Sequence, residues 1–117
     1  MNADRFDATV RKAARSLPEW VREALNDVDI VILDEADESL DPDGTGLLGL
    51  YCGTPLTERE ANHAGQLPDV IFLFRNPHLA LPLSEKELHA EIARTLMHEV
   101  AHYFGYDDDY LEAHGWD

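Results

Sequence analysis

The sequence predicts a single α+β domain over residues 1–117. Helical spacing of apolar residues occupies both ends of the chain, and three short apolar runs lie between them. Loop-forming Gly, Pro, Asp and Ser separate those runs. The length suits one domain, and 44% hydrophobic residues suffice for one core, which excludes wholesale disorder.

Residues 4–16 carry Phe6, Val10 and Ala13 or Ala14 at helical spacing, with charges between them. Leu17–Pro18 marks a break, since proline is tolerated in a first helical turn, and a short second helix is expected over Glu19–Leu25. Val28–Leu33 (VDIVIL) reads as a buried strand. Asp37–Gly46 is a loop by composition. Leu47–Cys52 (LLGLYC) is a second strand interrupted by Gly49, followed by the polar, irregular stretch Gly53–Gln66. Val70–Phe74 (VIFLF) is the most hydrophobic strand, and Asn76–Pro77 ends it.

The last long helix starts at a capping box. Ser84 caps the first turn and Glu87 reaches back to the cap. The helix runs to about Phe104, and Gly105 is its stop. Ala93, Met97, Val100, Ala101 and Phe104 share one face, and Leu88, Ile92, Leu96 and Tyr103 share another. Between the two stripes lie Glu91, His98, Glu99 and His102. Ionisable groups on a largely buried helix need partners, and a metal ion is one such partner.

Charge narrows the function classes. The net charge is −15, so nucleic-acid binding by phosphate neutralisation is disfavoured, and so are anionic membrane surfaces. There is no run of 18 apolar residues to span a membrane and no apolar stretch near the start for a signal peptide. The single cysteine, Cys52, excludes an intrachain disulfide, and a cytoplasmic setting is expected. The bases cluster in residues 1–22, where a basic helix is expected to lie against an acidic body.

Residues 98–102 read H-E-V-A-H. Histidines four apart on a helix project from one face, a turn apart, and both imidazoles can reach one ion. Gly105 lets the chain reverse, and Asp108, three residues on, can swing back as a third ligand. The composition makes a chance H-E-x-x-H roughly a 3% event, and requiring the glycine and aspartate lowers this to roughly 0.02%. A helix with two merely hydrogen-bonded histidines is therefore the weaker reading.

With these residues in place, the chain resembles the small bacterial zincin-like metallopeptidases. The resemblance rests on LLGLYCGTPLTER (Leu47–Arg59), PDVIFLFRNP (Pro68–Pro77) and TLMHEVAHYFGYDDDYLEAHG (Thr95–Gly115). It implies a minimal zincin-like fold, with a small mixed sheet packed on a metal-binding helix. It also implies zinc held by His98, His102 and Asp108, with Glu99 as the motif glutamate, and Leu47–Cys52 as an edge strand that pairs with an extended substrate. Metzincins proper add a methionine turn downstream. Met1 and Met97 both precede the motif, so that narrower assignment fails.

The activity so implied is peptide-bond hydrolysis by a zinc-activated water, with Glu99 as general base and a peptide or protein as substrate. Tyr106, Tyr110 and His114 all remain open as the oxyanion donor. The rival from another class is a zinc-stabilised binding module without turnover, with Glu112 or His114 as a fourth ligand. Asp107 and Asp109 flank Asp108 in an extended or turning segment and are expected to point elsewhere, or to accept hydrogen bonds from a ligand histidine.

Other residues read blandly. Asp41, Asp43 and Gly44 suggest a calcium loop, but the twelve-residue frame places Ser39 first and Leu50 last, so the pattern fails. His63, His78 and His89 lack ligand spacing and are expected at the surface or in local hydrogen bonds. Cys52 is expected to be a packed thiol, and Arg75 to form a surface ion pair.

Overall fold

The computed structural model describes residues 1–55 and 69–113. The polar stretch Gly53–Gln66 falls mostly outside them, as do His63 and His114.

Two helices open the chain, α1 (Ala3–Arg15) and α2 (Glu19–Leu25). The Asn2 side chain caps α1 by accepting from the Arg5 N–H at 2.9 Å. Three strands follow, β1 (Asp29–Leu33), β2 (Gly49–Cys52) and β3 (Val70–Phe74). They form one mixed sheet in the order β1-β3-β2, with β1 parallel and β2 antiparallel to β3. The most hydrophobic run is thus the central strand, whose Ile71, Leu73 and Phe74 are fully buried.

The chain then enters α3 (Arg75–Leu79), where the sequence suggested only a break. Pro77 is no obstacle there, because it falls in the first turn, where a backbone N–H has no helical partner. The long helix α4 (Glu85–Tyr103) begins at the expected capping box, with both of its hydrogen bonds formed, and α5 (Asp108–Ala113) closes the described chain.

α4 packs against α1 and α2 and against β2 and β3. One core cluster joins Phe6, Val10 and Ala13 of α1, Val21 of α2, Ile71 and Leu73 of β3, and Leu88, Ile92, Leu96 and Val100 of α4. Of the two stripes foreseen on α4, the one led by Leu88 and Ile92 is the more deeply buried. Ala93, Met97 and Phe104 of the other are only half-buried.

Two polar joints brace this packing. Arg75 is half-buried: it holds Asp7 of α1 through two nitrogens at 3.0 Å and forms the expected surface ion pair with Asp34, just past β1, at 2.7 Å. His78 is fully buried, its Nδ1 2.8 Å from the Phe74 carbonyl oxygen and its Nε2 3.1 Å from Thr95 Oγ1. Burial pushes the His78 pKa down, so the ring resists protonation in the fold. The unfolded chain takes up that proton near pH 6.5 and the fold only at lower pH, so this histidine removes stability as pH falls below about 6.5. Urea midpoints measured from pH 7 to pH 5 should fall less steeply in His78→Gln than in the parent protein.

The acidic loop is tied together by its own side chains. Asp41 accepts from Thr45 N, Thr45 Oγ1 and Gly46 N at 2.9–3.0 Å, and these donors hold its carboxyl below the usual range.

Candidate metal centre

The site is built where α4 ends. Phe104 is the C-cap, the Gly105 N–H donates to the His102 carbonyl at 2.9 Å, and the Tyr106 N–H donates to the Ala101 carbonyl at 3.0 Å. This is a Schellman turn, and Gly105 supplies its left-handed residue with φ of 98°. The reversal brings Asp107 and Asp108 back along the face that carries the histidines. Asp107 Oδ1 accepts from the Tyr110 N–H at 2.8 Å and so caps α5, while Leu111 anchors that helix in the interior. Asp108 thereby stands on the first turn of a short helix.

Three side chains foreseen as ligands come together. His98 Nε2 and His102 Nε2 are 3.1 Å apart, and Asp108 Oδ1 lies 3.1 Å from the second and 3.6 Å from the first. A tetrahedral ion bound at 2.0–2.2 Å needs donors about 3.3–3.6 Å apart, so the triangle is close to the size that zinc needs. The donor set, two imidazoles and a carboxylate, also suits that ion. His102 Nδ1 lies 2.9 Å from the Tyr106 carbonyl oxygen, which calls for its proton on Nδ1 and leaves the Nε2 lone pair facing the cluster. The carbonyl takes the supporting role that the sequence offered to Asp107 and Asp109. Glu112 is exposed on α5 and stands outside the group.

Glu99 sits beside this triangle and is only 6% exposed. Its Oε1 accepts from the Tyr51 main-chain N–H at 2.9 Å, and its Oε2 lies 4.0 Å from His98 Nε2. Burial raises its pKa, while the two histidines and the Tyr51 N–H oppose that rise.

A groove of about 540 Å³ runs between β2 and the donor cluster, with Leu47, Gly49 and Tyr51 along one wall and Tyr106 on the other. Tyr110 stacks on Tyr106 with ring centres 4.4 Å apart, so of the two only Tyr106 lines the groove. Cys52, on the same strand, is half-buried, and its thiol is pushed up by burial and by the nearby Glu99 charge. Burial makes it a poor nucleophile.

Sequence reasoning missed α3, α5 and the contact between Tyr51 and Glu99. A signal for α5 was present, an aspartate at the cap position three residues before Tyr110, but three consecutive acids obscured it. Nothing in the sequence could announce the Tyr51 contact, because a main-chain donor has no residue type.

Among the described residues, no helix is long and apolar enough to cross a membrane. No curated protein matches the sequence. The model of one family, the zincin-like metallopeptidases, matches residues 25–116, which takes in the whole sheet, α4 and the donor triangle. With most of its length matched and its architecture that of helices on a small mixed sheet, the chain belongs to the zincin-like metallopeptidase family.

Proposed function

We propose that the protein is a zinc-dependent peptidase whose metal is held by His98, His102 and Asp108 and whose general base is Glu99. The observation that carries this reading is the convergence of three zinc-type donors beside a buried carboxylate that has one oxygen turned toward them. Family membership supports the metal and the reaction class.

Zinc, when bound, supplies a Lewis acid that acidifies water and polarises a carbonyl. The remaining work falls to the chain. Glu99 Oε2 takes the proton of the attacking water and delivers it to the leaving amine. The Tyr106 carbonyl orients His102 through Nδ1. β2 is an edge strand beside the groove, and an extended peptide lies along it there. A flexible peptide or an exposed protein tail suits so open a groove. The reading includes a cytoplasmic location, supported by one cysteine with no intrachain partner. Nucleic acid and membrane are not partners in this reading, given a net charge of −15.

The test is a peptide library incubated with zinc-loaded protein. Cleavage that stops on chelation and returns with zinc is the expected result. A protein that binds zinc and cleaves no member of the library is a binding module instead.

The third ligand has its own test. Asp108→Ala is expected to weaken zinc binding far more than Asp107→Ala, Asp109→Ala or Glu112→Ala. Asp107→Ala should cost about 1 kcal/mol of stability through the lost cap, with a small change in affinity. Dissociation constants under one buffered competitor decide the ranking, and a larger loss at any of the other three acids refutes the assignment of Asp108.

A further inference from the structure

The backbone of β2 alternates in direction. The Phe74 N–H donates to the Leu48 carbonyl at 3.0 Å, and the same register sets Leu50 opposite Phe72 and Cys52 opposite Val70. In an antiparallel ladder every second pair exchanges hydrogen bonds, so Leu48, Leu50 and Cys52 face β3, while Gly49 and Tyr51 turn their N–H and C=O groups away from it. That is why the Tyr51 N–H can donate to Glu99 Oε1 on the neighbouring helix.

The contact requires β2 to lie very close to α4. A Cβ added to Gly49 would stand 2.6 Å from Thr95 Cγ2, 3.1 Å from the Phe72 carbonyl oxygen and 3.5 Å from Glu99 Cγ. Thr95 is one turn before Glu99 and cannot simply swing aside. Its Oγ1 donates to the Glu91 carbonyl at 2.9 Å and meets the buried His78 ring at 3.1 Å. Tyr51 is equally constrained: its hydroxyl donates to Asp69 at 2.6 Å, and its ring packs edge-on against Tyr103.

We propose that β2 positions the general base. The Tyr51 main-chain N–H holds Glu99 Oε1 so that Oε2 faces the donor triangle, and Gly49 is the residue that lets the strand come close enough to do so. Gly49 and the Tyr51 amide are positioning groups, since neither touches the reacting atoms. The functional consequence rests on the reading of Glu99 as base. The contact itself can be tested without turnover.

The experiment is amide hydrogen exchange by NMR on the ¹⁵N-labelled full chain, with zinc content measured in parallel. Glu99→Ala should speed exchange at Tyr51 by at least about tenfold, the loss expected for a hydrogen bond to a charged acceptor. Leu50, bonded to β3, should keep its protection and report an intact sheet. Gly49→Ala should expose the Tyr51 amide in the same way and still bind one zinc, because Glu99 is not a ligand. The double variant Gly49→Ala, Thr95→Ser removes the obstructing methyl and keeps the hydroxyl. It should bring the Tyr51 rate back to within about threefold of the parent protein. Unchanged Tyr51 exchange in Glu99→Ala or in Gly49→Ala overturns the proposal. So does a double variant no closer to the parent than Gly49→Ala alone, including one in which lost Leu50 protection is not restored. A failure of the peptidase reading is separate: it appears as absent zinc-dependent cleavage with these exchange results intact.

Discussion

Replacing Glu99 with glutamine is expected to lower the peptidase rate by roughly 10²–10⁴ while zinc stays bound at one per chain. The substitution is nearly isosteric. Its amide oxygen can still accept from the Tyr51 N–H, so the side chain keeps its place between β2 and the donor triangle. What is lost is the oxygen on the His98 side, the only atom of this side chain placed to take a proton near the cluster. The measurement is kcat on a library-derived peptide, with zinc assayed in the same preparation. Equal rates in parent and variant would remove Glu99 from the chemistry.

His98→Ala and His102→Ala should each weaken zinc binding by more than about 100-fold, beyond the 10–100-fold typical of losing a group that merely supports a ligand. Each removes one corner of a triangle whose other two corners cannot close a tetrahedral site. The two variants should differ in stability. His102 also ties the chain reversal to α4 through the Tyr106 carbonyl, so its removal loosens the turn that delivers Asp108. Competition with a chelator of known affinity measures the first effect, and thermal melting of the metal-free proteins the second. Unchanged zinc content in both variants would refute the assignment of the ligands.

Much of this architecture was legible in the chain. Ser84 and Glu87 announce the start of α4, and Gly105 announces its end, because caps and stops are local chemistry read over three or four residues. Glu19–Leu25 and Val70–Phe74 have the expected bounds, since a proline break and an unbroken apolar run mark them. The spacing of His98, His102 and Asp108 is also local, and the helix and its Schellman turn translate it into proximity. Two short helices escaped notice. α3 hides a proline in its first turn, and α5 hides its cap among like charges.

The sequence by itself determined the helix that carries the histidines, the turn that follows it and the three strands, all of which depend on neighbours within a few residues. Only the tertiary structure decided the environment of Glu99. Burial at 6% exposure, the Tyr51 N–H on Oε1 and the close approach at Gly49 involve residues about 50 positions away in the chain. The same holds for His78, which spacing left as an ordinary polar residue and packing made a buried link from α3 to Thr95. The physical reason is common to both. A side chain's periodicity reports which face of its own element it occupies, whereas desolvation and hydrogen-bond partners depend on which other element arrives to cover that face.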